Sequence, residues 1–599
     1  MKKINTMILA NLGFAALFSL LNICFHADVS TLAFIISLCF TALMVKFLGL
    51  EVYKKQLIQK VFCAKKFLQY EPYVFLIAFI IRRAGAKGTS FAFDLISVIF
   101  WLGIFVTSLI LQHYFKPANY KKITGKAISE PKNESIFKMY AKGKKRDGSK
   151  VNPVDYIKWF GYEIVDWGDA LVQAVFMVLL FQIFLFQFYK IPSESMVPEY
   201  MINDRVAVSK ITSGPKFPLS DVGIPCMKEY HRGDIVVFRN PHYTINRESE
   251  VKTVVSQIIY MLTFTLVNTN VDEHGKLKAD PLVKRITGVA GEQLMMIDGI
   301  LYSRTKDSPE FKVVDQDLKW AEYDFSNESP ALQRLITDFR VSGDYYQQIL
   351  EFENYKNALD FNWAKERCRN LADEMAKYCK NTSISDSELL EFFSSSDLCI
   401  ESIGKIYQPY LQRVLSSTGG LKWFRKFMTE WIDSYDQLSK DGYIGGNAYT
   451  DTNYRINIMY KLTIGELFTR IVKLQNEEVP SEQIENDEII IRAMYSYDML
   501  YYYMYLFTDQ RNMPPFPEND ADGNPQYIPE NCYFMMGDNR FNSFDMRHTD
   551  RYLTKITPYD NYSITYYSSM KPQYVPKKLI LGTTGIRFWP IARPVRRAR

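Results

Sequence analysis

Four polar segments of this 599-residue chain carry side chain types that can support hydrolytic chemistry. Residues 191–198 (IPSESMVP) hold two serines, and residues 232–238 (RGDIVVF) run from a turn into an apolar strand. Residues 283–292 (VKRITGVAGE) place a Lys-Arg pair in another predicted strand, and residues 535–547 (MMGDNRFNSFDMR) form a polar loop rich in turn formers. Taken singly, each segment has an ordinary structural interpretation as a turn, a strand, a charged edge strand or a surface loop.

Together, and in this order behind an apolar run, the four segments resemble the type I signal peptidases. The boxes of that family read roughly P-S-x-S-M-x-P-T, R-G-D-I-V-V-F, K-R-(two residues)-G-x-x-G-[DE] and G-D-N-R-x-N-S-x-D-S-R. The resemblance covers about 189–300 and 527–590. It implies a β-rich serine endopeptidase domain on a helical membrane anchor, with no cofactor and no metal. The chain departs from the boxes at four positions: Glu199 and Tyr200 replace Thr-Leu, Phe541 replaces Asp, and Met546 replaces Ser.

The resemblance assigns the nucleophile to Ser195 and the general base to Lys284. A serine hydroxyl is a poor nucleophile until a base takes its proton. A free lysine titrates at about 10.4, so the amine must be desolvated to act as that base near neutral pH. The apolar side chains of Phe238 and Met535 match the positions that surround the amine, and Ser543 matches the serine that orients it.

The remaining site residues also follow from the resemblance. Ser193 and the backbone N–H of Ser195 correspond to the oxyanion hole, and Asp545 with Arg547 corresponds to a supporting ion pair. The family cuts after small residues, usually Ala at −1 and −3. The positions that line those pockets in the family correspond to Ile191, Met196, Val237 and Val283. For each of these residues, core packing is an equally good interpretation.

Charge and composition exclude several other classes of function. Residues 1–168 carry 23 Lys/Arg and 10 Asp/Glu, whereas the remainder of the chain carries 49 and 56. A basic N-terminal third with apolar runs indicates a membrane region with positive cytoplasmic loops, not a nucleic-acid binder. Eight cysteines and six scattered histidines fit neither a disulfide scaffold nor a zinc enzyme.

Several apolar runs are long enough to cross a bilayer. They cover 7–25 and 31–50, which form a predicted hairpin (7–50), and 91–112 and 170–188; the run 73–81 is shorter. The first run has the alternative interpretation of a cleaved signal peptide. The basic segments 51–90 and 114–168 favour the cytoplasm, so we expect three or five crossings, with residues from 189 onward on the outer side.

These observations predict a multi-domain membrane protein with N-terminal transmembrane helices, a β-rich catalytic domain and a large α-helical insertion. Within the insertion we predict helices at 421–438, 463–477 and 487–508, a core of its own and no chemistry. For 251–268 we prefer an interfacial hairpin, with a buried strand as the alternative. The predicted divisions are 1–113 (membrane helices), 114–168 (basic cytoplasmic loop), 169–188 (last membrane helix), 189–304 (catalytic, first part), 305–526 (insertion) and 527–599 (catalytic, second part).

The predicted function is removal of signal peptides from exported preproteins at the outer side of a bacterial cytoplasmic (inner) membrane. The expected partners are preprotein signal peptides and the lipid bilayer, with the secretion machinery as a candidate and no nucleic acid. There are two alternatives, the first of them from another class of function. One is a non-catalytic membrane assembly factor, which has no need of Ser195, Lys284 and Ser543 together. The other is a soluble self-cleaving Ser/Lys protease of the repressor type, which lacks both the membrane hairpin and the G-D-N-R loop.

Overall fold

The computed structural model divides the chain into two compact units. The first contains Met1–Phe188, Val208–Lys228 and Tyr243–Asp280, and the second contains Tyr189–Ala207, Glu229–His242 and Pro281–Arg599. The residues that the structure describes are 2–24, 30–85, 90–128, 153–211, 213–243, 246–263, 267, 269–271, 278–321, 330, 343–385, 409–438 and 442–590.

The first unit is helical. Its helices are α1 (Lys2–Leu21), α2 (Ser30–Met44, continued by the π-helical Val45–Lys54), α3 (Val61–Gly85), α4 (Phe91–Tyr114), α5 (Pro117–Thr124), α6 (Pro153–Phe184) and α7 (Arg247–Leu262). Within the described residues, four stretches are long and apolar enough to cross a membrane: Lys2–Leu21, Thr31–Lys54, Phe91–Tyr114 and Phe160–Phe184. The four long apolar runs predicted from the sequence fall largely on these stretches. The predicted basic loop 114–168 lies partly outside the described residues.

Helix α3 contains the short apolar run 73–81 and continues well beyond it at both ends. It contacts α2 and α4 and has Pro72 in its interior. Proline has no N–H to donate to the carbonyl four residues earlier, which here belongs to Leu68. Ser108 Oγ and Gln112 Nε2 of α4 donate to that carbonyl at 2.5 and 3.0 Å. The neighbouring helix therefore satisfies the group that the proline frees, and α3 remains one continuous helix.

A cluster of charged and polar groups joins the end of α3 to the start of α4. The buried Arg82 lies 3.5 Å from Asp94, and Arg83 Nε lies 3.3 Å from the same carboxylate. Arg83 Nε also donates to the carbonyl of Leu219 at 2.7 Å, and Ser220 Oγ donates to Asp94 at 2.8 Å. This end of α3 is thus bonded to a segment that follows α6 in the chain.

Residues 251–262 belong to helix α7, so the predicted hairpin and its strand alternative are both wrong for this stretch. The helix begins after Asn246, whose Oδ1 accepts a hydrogen bond from the N–H of Ser249 at 2.8 Å, as in an N-cap. Glu248 and Lys252 form an (i, i+4) ion pair of 2.8 Å. The cap and the charged first turns favour a helix, and they lie just before the apolar run on which the hairpin prediction rested. Residues 264–266 and 268 lie outside the described residues.

Strands dominate the catalytic part of the chain. They are β1 (Phe186–Lys190), β2 (Arg205–Ser209), β3 (Ile235–Phe238), β4 (Leu282–Gly288), β5 (Glu292–Ile297), β6 (Ile300–Thr305), β7 (Lys312–Val313), β8 (Met513–Phe516), β9 (Cys532–Met536), β10 (His548–Lys555), β11 (Thr565–Met570), β12 (Val575–Pro576) and β13 (Ile580–Trp589). A seven-stranded sheet has the order β1-β2-β13-β3-β4-β9-β12, a four-stranded sheet has the order β7-β6-β5-β8, and β10 pairs with β11. The predicted β-rich part is therefore present.

The predicted insertion is helical over most of its described residues. Its helices are α8 (Asp315–Ala321), α9 (Gly343–Asn357), α10 (Phe361–Ala376), α11 (Pro409–Ser416), α12 (Thr418–Leu438), α13 (Ala448–Asn476), α14 (Ser481–Glu485) and α15 (Glu488–Tyr505), followed by the π-helical turn Leu506–Gln510. The three predicted helices correspond to α12, to the second half of α13, and to α15 with its π turn.

The insertion differs from the expectation of a core of its own. One cluster of buried hydrophobic residues contains Trp431 and Tyr460 of the insertion together with Val197, Phe541 and Tyr566 of the catalytic part. The apolar faces of the helices are therefore buried against catalytic loops as well as against each other. The two parts share one core.

Candidate active site

Ser195 and Lys284 meet in the structure, although 89 positions separate them in the chain. Lys284 Nζ lies 2.5 Å from Ser195 Oγ, and the two groups are hydrogen-bonded. Lys284 occupies β4, in the interior of the seven-stranded sheet, while Ser195 lies in the loop between β1 and β2. A rigid strand therefore presents the amine to a serine that a loop carries.

The loop that carries Ser195 is closed at its base by the backbone. The N–H of Ile191 donates to the carbonyl of Asp204 at 2.8 Å, and the N–H of Asn203 donates to the carbonyl of Ile191 at 2.9 Å. The carboxylate of Asp204 also accepts from the N–H of Met201 at 2.9 Å. These bonds continue the pairing of β1 with β2 and fix both ends of the loop.

The G-D-N-R segment holds the same loop from the other side. The N–H of Asn539 donates to the carbonyl of Ser195 at 3.2 Å, and its side chain amide donates to the carbonyl of Glu194 at 3.3 Å. A Cβ at Gly537 would lie 2.3 Å from the carbonyl oxygen of Ser195 and 2.2 Å from Ser543 Oγ. Only glycine fits between these atoms. Neither Gly537 nor Asn539 was predicted to have a role, although both stand in the quoted motif.

The sheet surrounds the Lys284 amine with apolar side chains. Lys284 is 2% exposed, and it is paired with Val236 of β3. Because alternate residues of a strand share a face, Phe238 lies on the same side of the sheet. Met535 lies there as well, because it is paired with Ile286, two residues beyond Lys284. Both predicted neighbours of the amine are fully buried on its own face.

This burial changes the protonation of Lys284. Loss of solvent is the main cause and lowers the pKa of the amine from 10.5 to about 8. The charge of Asp545 raises the pKa and that of Arg547 lowers it, so these two contributions oppose each other. A substantial fraction of the amine is therefore neutral at mildly alkaline pH.

Ser543, Asp545 and Arg547 form one buried group beside the lysine. Arg547 donates to both carboxylate oxygens of Asp545 at 2.8 Å, and Ser543 Oγ donates to Asp545 at 2.7 Å. Burial alone would raise the pKa of Asp545, but the charge and hydrogen bonds of Arg547 hold it well below its usual range. The hydrogen bond from Ser543 to the amine that the resemblance implies remains a prediction.

His548 lies next to this group but is already fully bonded to main chain. Its Nδ1 accepts from the N–H of Asp545 at 3.3 Å, and its Nε2 lies 3.2 Å from the carbonyl of Asp509. Burial, reinforced by the charge of Arg547, lowers the pKa of His548 to about 3. The imidazole is therefore neutral, with both nitrogens engaged.

The other predicted site residues are distributed around the dyad. Ser193 is exposed, and its hydroxyl lies 3.3 Å from Ser195 Oγ. Ile191 and Met196 are buried in the same loop. Val237 and Val283 are paired with each other on the face of the sheet opposite to that of Lys284. The substrate-binding role of these residues remains a prediction.

A second set of buried charges was missed in the sequence analysis. Arg285 donates to both oxygens of Asp538 at 2.8 and 2.7 Å. Arg540 donates to Asp317 of α8 at 2.7 Å and to the carbonyl of Gly537 at 2.9 Å. These pairs fasten the G-D-N-R segment to β4 and to α8. The basic residues stood in the quoted boxes, but nothing in the sequence marked Asp317 as a partner.

Comparison with known proteins gives one family. The model of the family described as "Signal peptidase, peptidase S26" matches residues 164–344 and 474–589. Signal peptidase I of Pseudomonas aeruginosa is 33% identical over 78 residues, which are 13% of this chain and 28% of that protein. Signal peptidase I of Buchnera aphidicola subsp. Schizaphis graminum is 36% identical over 78 residues, 13% of this chain and 25% of that protein.

A longer match is less identical. Signal peptidase I of Haemophilus influenzae is 22% identical over 216 residues, 35% of this chain and 56% of that protein. The chain thus spans between 25% and 56% of the length of these three relatives. No solved structure matches it.

Proposed function

We propose that this chain, which belongs to the signal peptidase family, peptidase S26, removes N-terminal signal peptides from exported preproteins. One observation carries the proposal. A buried lysine amine with a pKa of about 8 lies 2.5 Å from the hydroxyl of Ser195. The relatives named Signal peptidase I support the class of substrate.

The chemistry is a two-step acyl transfer. The neutral amine of Lys284 takes the proton of Ser195 as Oγ attacks the scissile carbonyl, and the ammonium then gives that proton to the departing amine. The backbone N–H of Ser195 and the hydroxyl of Ser193 stabilise the oxyanion in this scheme. Water then attacks the acyl-enzyme, with Lys284 again accepting a proton, and frees Ser195.

The proposed specificity is for small residues, with Ala preferred at −1 and −3. Ile191 and Met196, which flank the nucleophile in its loop, and the paired Val237 and Val283 are the proposed lining of the two subsites. A shallow apolar subsite accepts a methyl group and excludes large side chains by overlap.

We further propose that the chain is a multi-pass protein of a bacterial cytoplasmic membrane with five crossings. Helix α3 has 25 residues, which gives a length of about 37 Å, enough to span a bilayer beside α2 and α4. Its Arg83 end bonds to Leu219, which follows α6 in the chain. That end therefore lies on the same side as the residues after α6, and α3 crosses together with the four apolar helices.

The two arginines at that end of α3 count against this topology under the positive-inside rule. Both lie close to the single carboxylate of Asp94, which offsets one of the two positive charges. An odd number of crossings with a cytoplasmic N-terminus places the dyad on the outer side, where exported preproteins emerge.

The test is cleavage of a purified preprotein by the detergent-solubilised chain. Ser195→Ala and Lys284→Met are each expected to lower cleavage by at least about a thousandfold, because either loss removes the nucleophile or its base. The matched controls are Ser481→Ala, at an exposed serine of the insertion, and Lys312→Met, at an exposed lysine of β7. Cleavage by either dyad variant at the rate of its control would overturn the proposed mechanism.

A further inference from the structure

The turn that ends the insertion reaches the loop between Gly537 and Arg547. Gln510 is 4% exposed. Its Oε1 accepts a hydrogen bond from the N–H of Ser543 at 3.1 Å, and its backbone carbonyl accepts one from the guanidinium of Arg547. A single residue of the insertion thus contacts both ends of the stretch 543–547, which carries Asp545.

The residue before it anchors the turn. Asp509 is buried, and its carboxylate accepts hydrogen bonds from the N–H of Ser569 at 2.6 Å, from Ser568 Oγ at 3.0 Å and from the Tyr566 hydroxyl at 3.0 Å. Its carbonyl lies 3.2 Å from His548 Nε2. The π turn is therefore held against β10 and β11, and a shift of the turn would break several buried hydrogen bonds.

The residue after Gln510 connects the turn to a position where the chain departs from its family. Arg511 donates to the carboxylate of Glu353 in α9 and to the carbonyl of Asp298. Its guanidinium lies 4.4 Å from the ring of Phe541, which is itself buried. The residue that replaces the common Asp of the last box is thus covered by the insertion.

We infer that Gln510 is a positioning residue for the signal-peptide cleavage proposed above, and that the insertion completes the active site. Gln510 fixes Ser543 at one end of the loop and Arg547 at the other, and both residues bond to Asp545. The loop in turn keeps water away from the Lys284 amine and sets the charges around it. This inference rests on the proposed function.

The test uses the full chain and a short signal-peptide substrate. Gln510→Met removes the acceptor at similar length, and we expect kcat to fall about 10- to 100-fold with KM changed little, since small displacements of a site are costly. Gln510→Glu keeps an acceptor for the N–H of Ser543 and should recover a large part of kcat. The control is Thr469→Val, at a buried threonine in the interior of α13, and it should keep the wild-type kcat.

The pH profile separates positioning from a loss of folded protein. Burial is the largest cause of the low pKa of Lys284, so a loosened loop that admits water should move the rising limb of kcat/KM in Gln510→Met to higher pH. An unchanged limb, or a kcat equal to that of Thr469→Val, overturns the inference while cleavage by the wild type still supports the proposed function. If the wild-type chain does not cleave, the proposed function fails and the inference fails with it.

Discussion

At the scale of single residues, the proposed chemistry depends on a lysine that has to lose its charge. A sheet interior achieves this because the amine cannot recover there the hydration that the ammonium has in water. The charge of Asp545 favours the ammonium form, and the charge of Arg547, which is paired with Asp545, acts in the opposite direction. The lysine is thus placed beside a carboxylate without forming an ordinary ion pair with it.

The first prediction concerns the pH dependence of cleavage. Only the neutral amine accepts the Ser195 proton, so kcat/KM should rise about tenfold for each pH unit below the pKa and level off above about 8. The measurement is kcat/KM with a signal-peptide substrate between pH 6 and pH 10. A profile that still rises steeply near the ordinary lysine value of about 10.4 would exclude a desolvated base.

The second prediction concerns stability. The pKa of Lys284 is lower in the folded protein than in the unfolded chain, so the unfolded state binds more protons between about 8 and 10.5 and stability rises with pH across that window. Below about 8 the whole penalty is present, and the gap between the two pKa values corresponds to roughly 3 kcal/mol. Lys284→Met should therefore be more stable than the wild type at pH 6 by up to that amount.

Thermal unfolding in detergent at pH 6 and at pH 10 provides the measurement. The advantage of Lys284→Met should be largest at pH 6 and shrink toward pH 10, where the folded amine is neutral and most of the window between the two pKa values has been crossed. An advantage that does not depend on pH would show that the methionine acts through packing instead of charge.

The residues found from the sequence are those whose side chain types are needed by the proposed chemistry. Ser195 and Lys284 stand in recognisable boxes, and the structure brings them together. Gly537 and Asn539 support the site through contacts to the main chain of Ser195 and Glu194, and neither residue type indicates hydrolytic chemistry. Gln510 lies outside every box, because its role depends on a contact between segments 33 positions apart.

At the scale of elements, Ser195 lies in one of two loops that have to approach closely. The loop of Ser195 and the G-D-N-R segment touch through main-chain atoms at Gly537. A contact of this kind tolerates no side chain on one of its partners. The spacing of the two loops therefore depends on the size of one residue.

The third prediction follows from this contact. In Gly537→Ala, the new methyl group would overlap the carbonyl of Ser195 and the hydroxyl of Ser543, so the loops have to separate. We expect kcat/KM to fall by about a hundredfold or more. Gly585→Ala is the control, because a Cβ there lies 3.9 Å from the nearest atom, at ordinary contact distance, and should leave the rate unchanged. Equal rates for the two variants would contradict the crowding at Gly537.

Elements were predicted well where periodicity and local signals agreed, and less well elsewhere. Helices α12 and α15 followed from amphipathic patterns. Helix α7 was missed because the prediction rested on its apolar second half, whereas the cap at Asn246 and the charged first turns, which favour a helix, precede that run. Helix α3 was only partly recognised, since its charged residues are paired inside the bundle and lower its hydropathy.

At the scale of the whole molecule, the direction of the membrane crossings decides which compartment the dyad faces. Four apolar stretches alone give an even number of crossings. The bond between Arg83 and Leu219 supports the inclusion of α3, which makes the number odd. The connection between α3 and α4 is then expected outside, and the connection between α4 and α5 inside.

The fourth prediction tests this topology in intact cells. With the eight native cysteines replaced by alanine, Ser90→Cys should react with an impermeant thiol reagent, because the proposed topology puts the start of α4 on the outer side. Lys116→Cys, at the other end of α4, should be shielded until the membrane is permeabilised. A shielded Ser90→Cys would favour three crossings. Labelling of Lys116→Cys with shielding of Asp307→Cys would place the catalytic part in the cytoplasm.

The burial of Phe541 under Arg511 has a consequence for how this chain diverges and for how it can be recombined. The aromatic ring of Phe541 and the segment around Arg511 that covers it are expected to be conserved together, because each loses its packing partner without the other. Relatives that carry the insertion should therefore keep a large apolar residue at this position, and relatives that lack it are free to keep the acidic one. A chimaera that grafts the catalytic part of a short relative onto this insertion should work only after its aspartate is exchanged for phenylalanine.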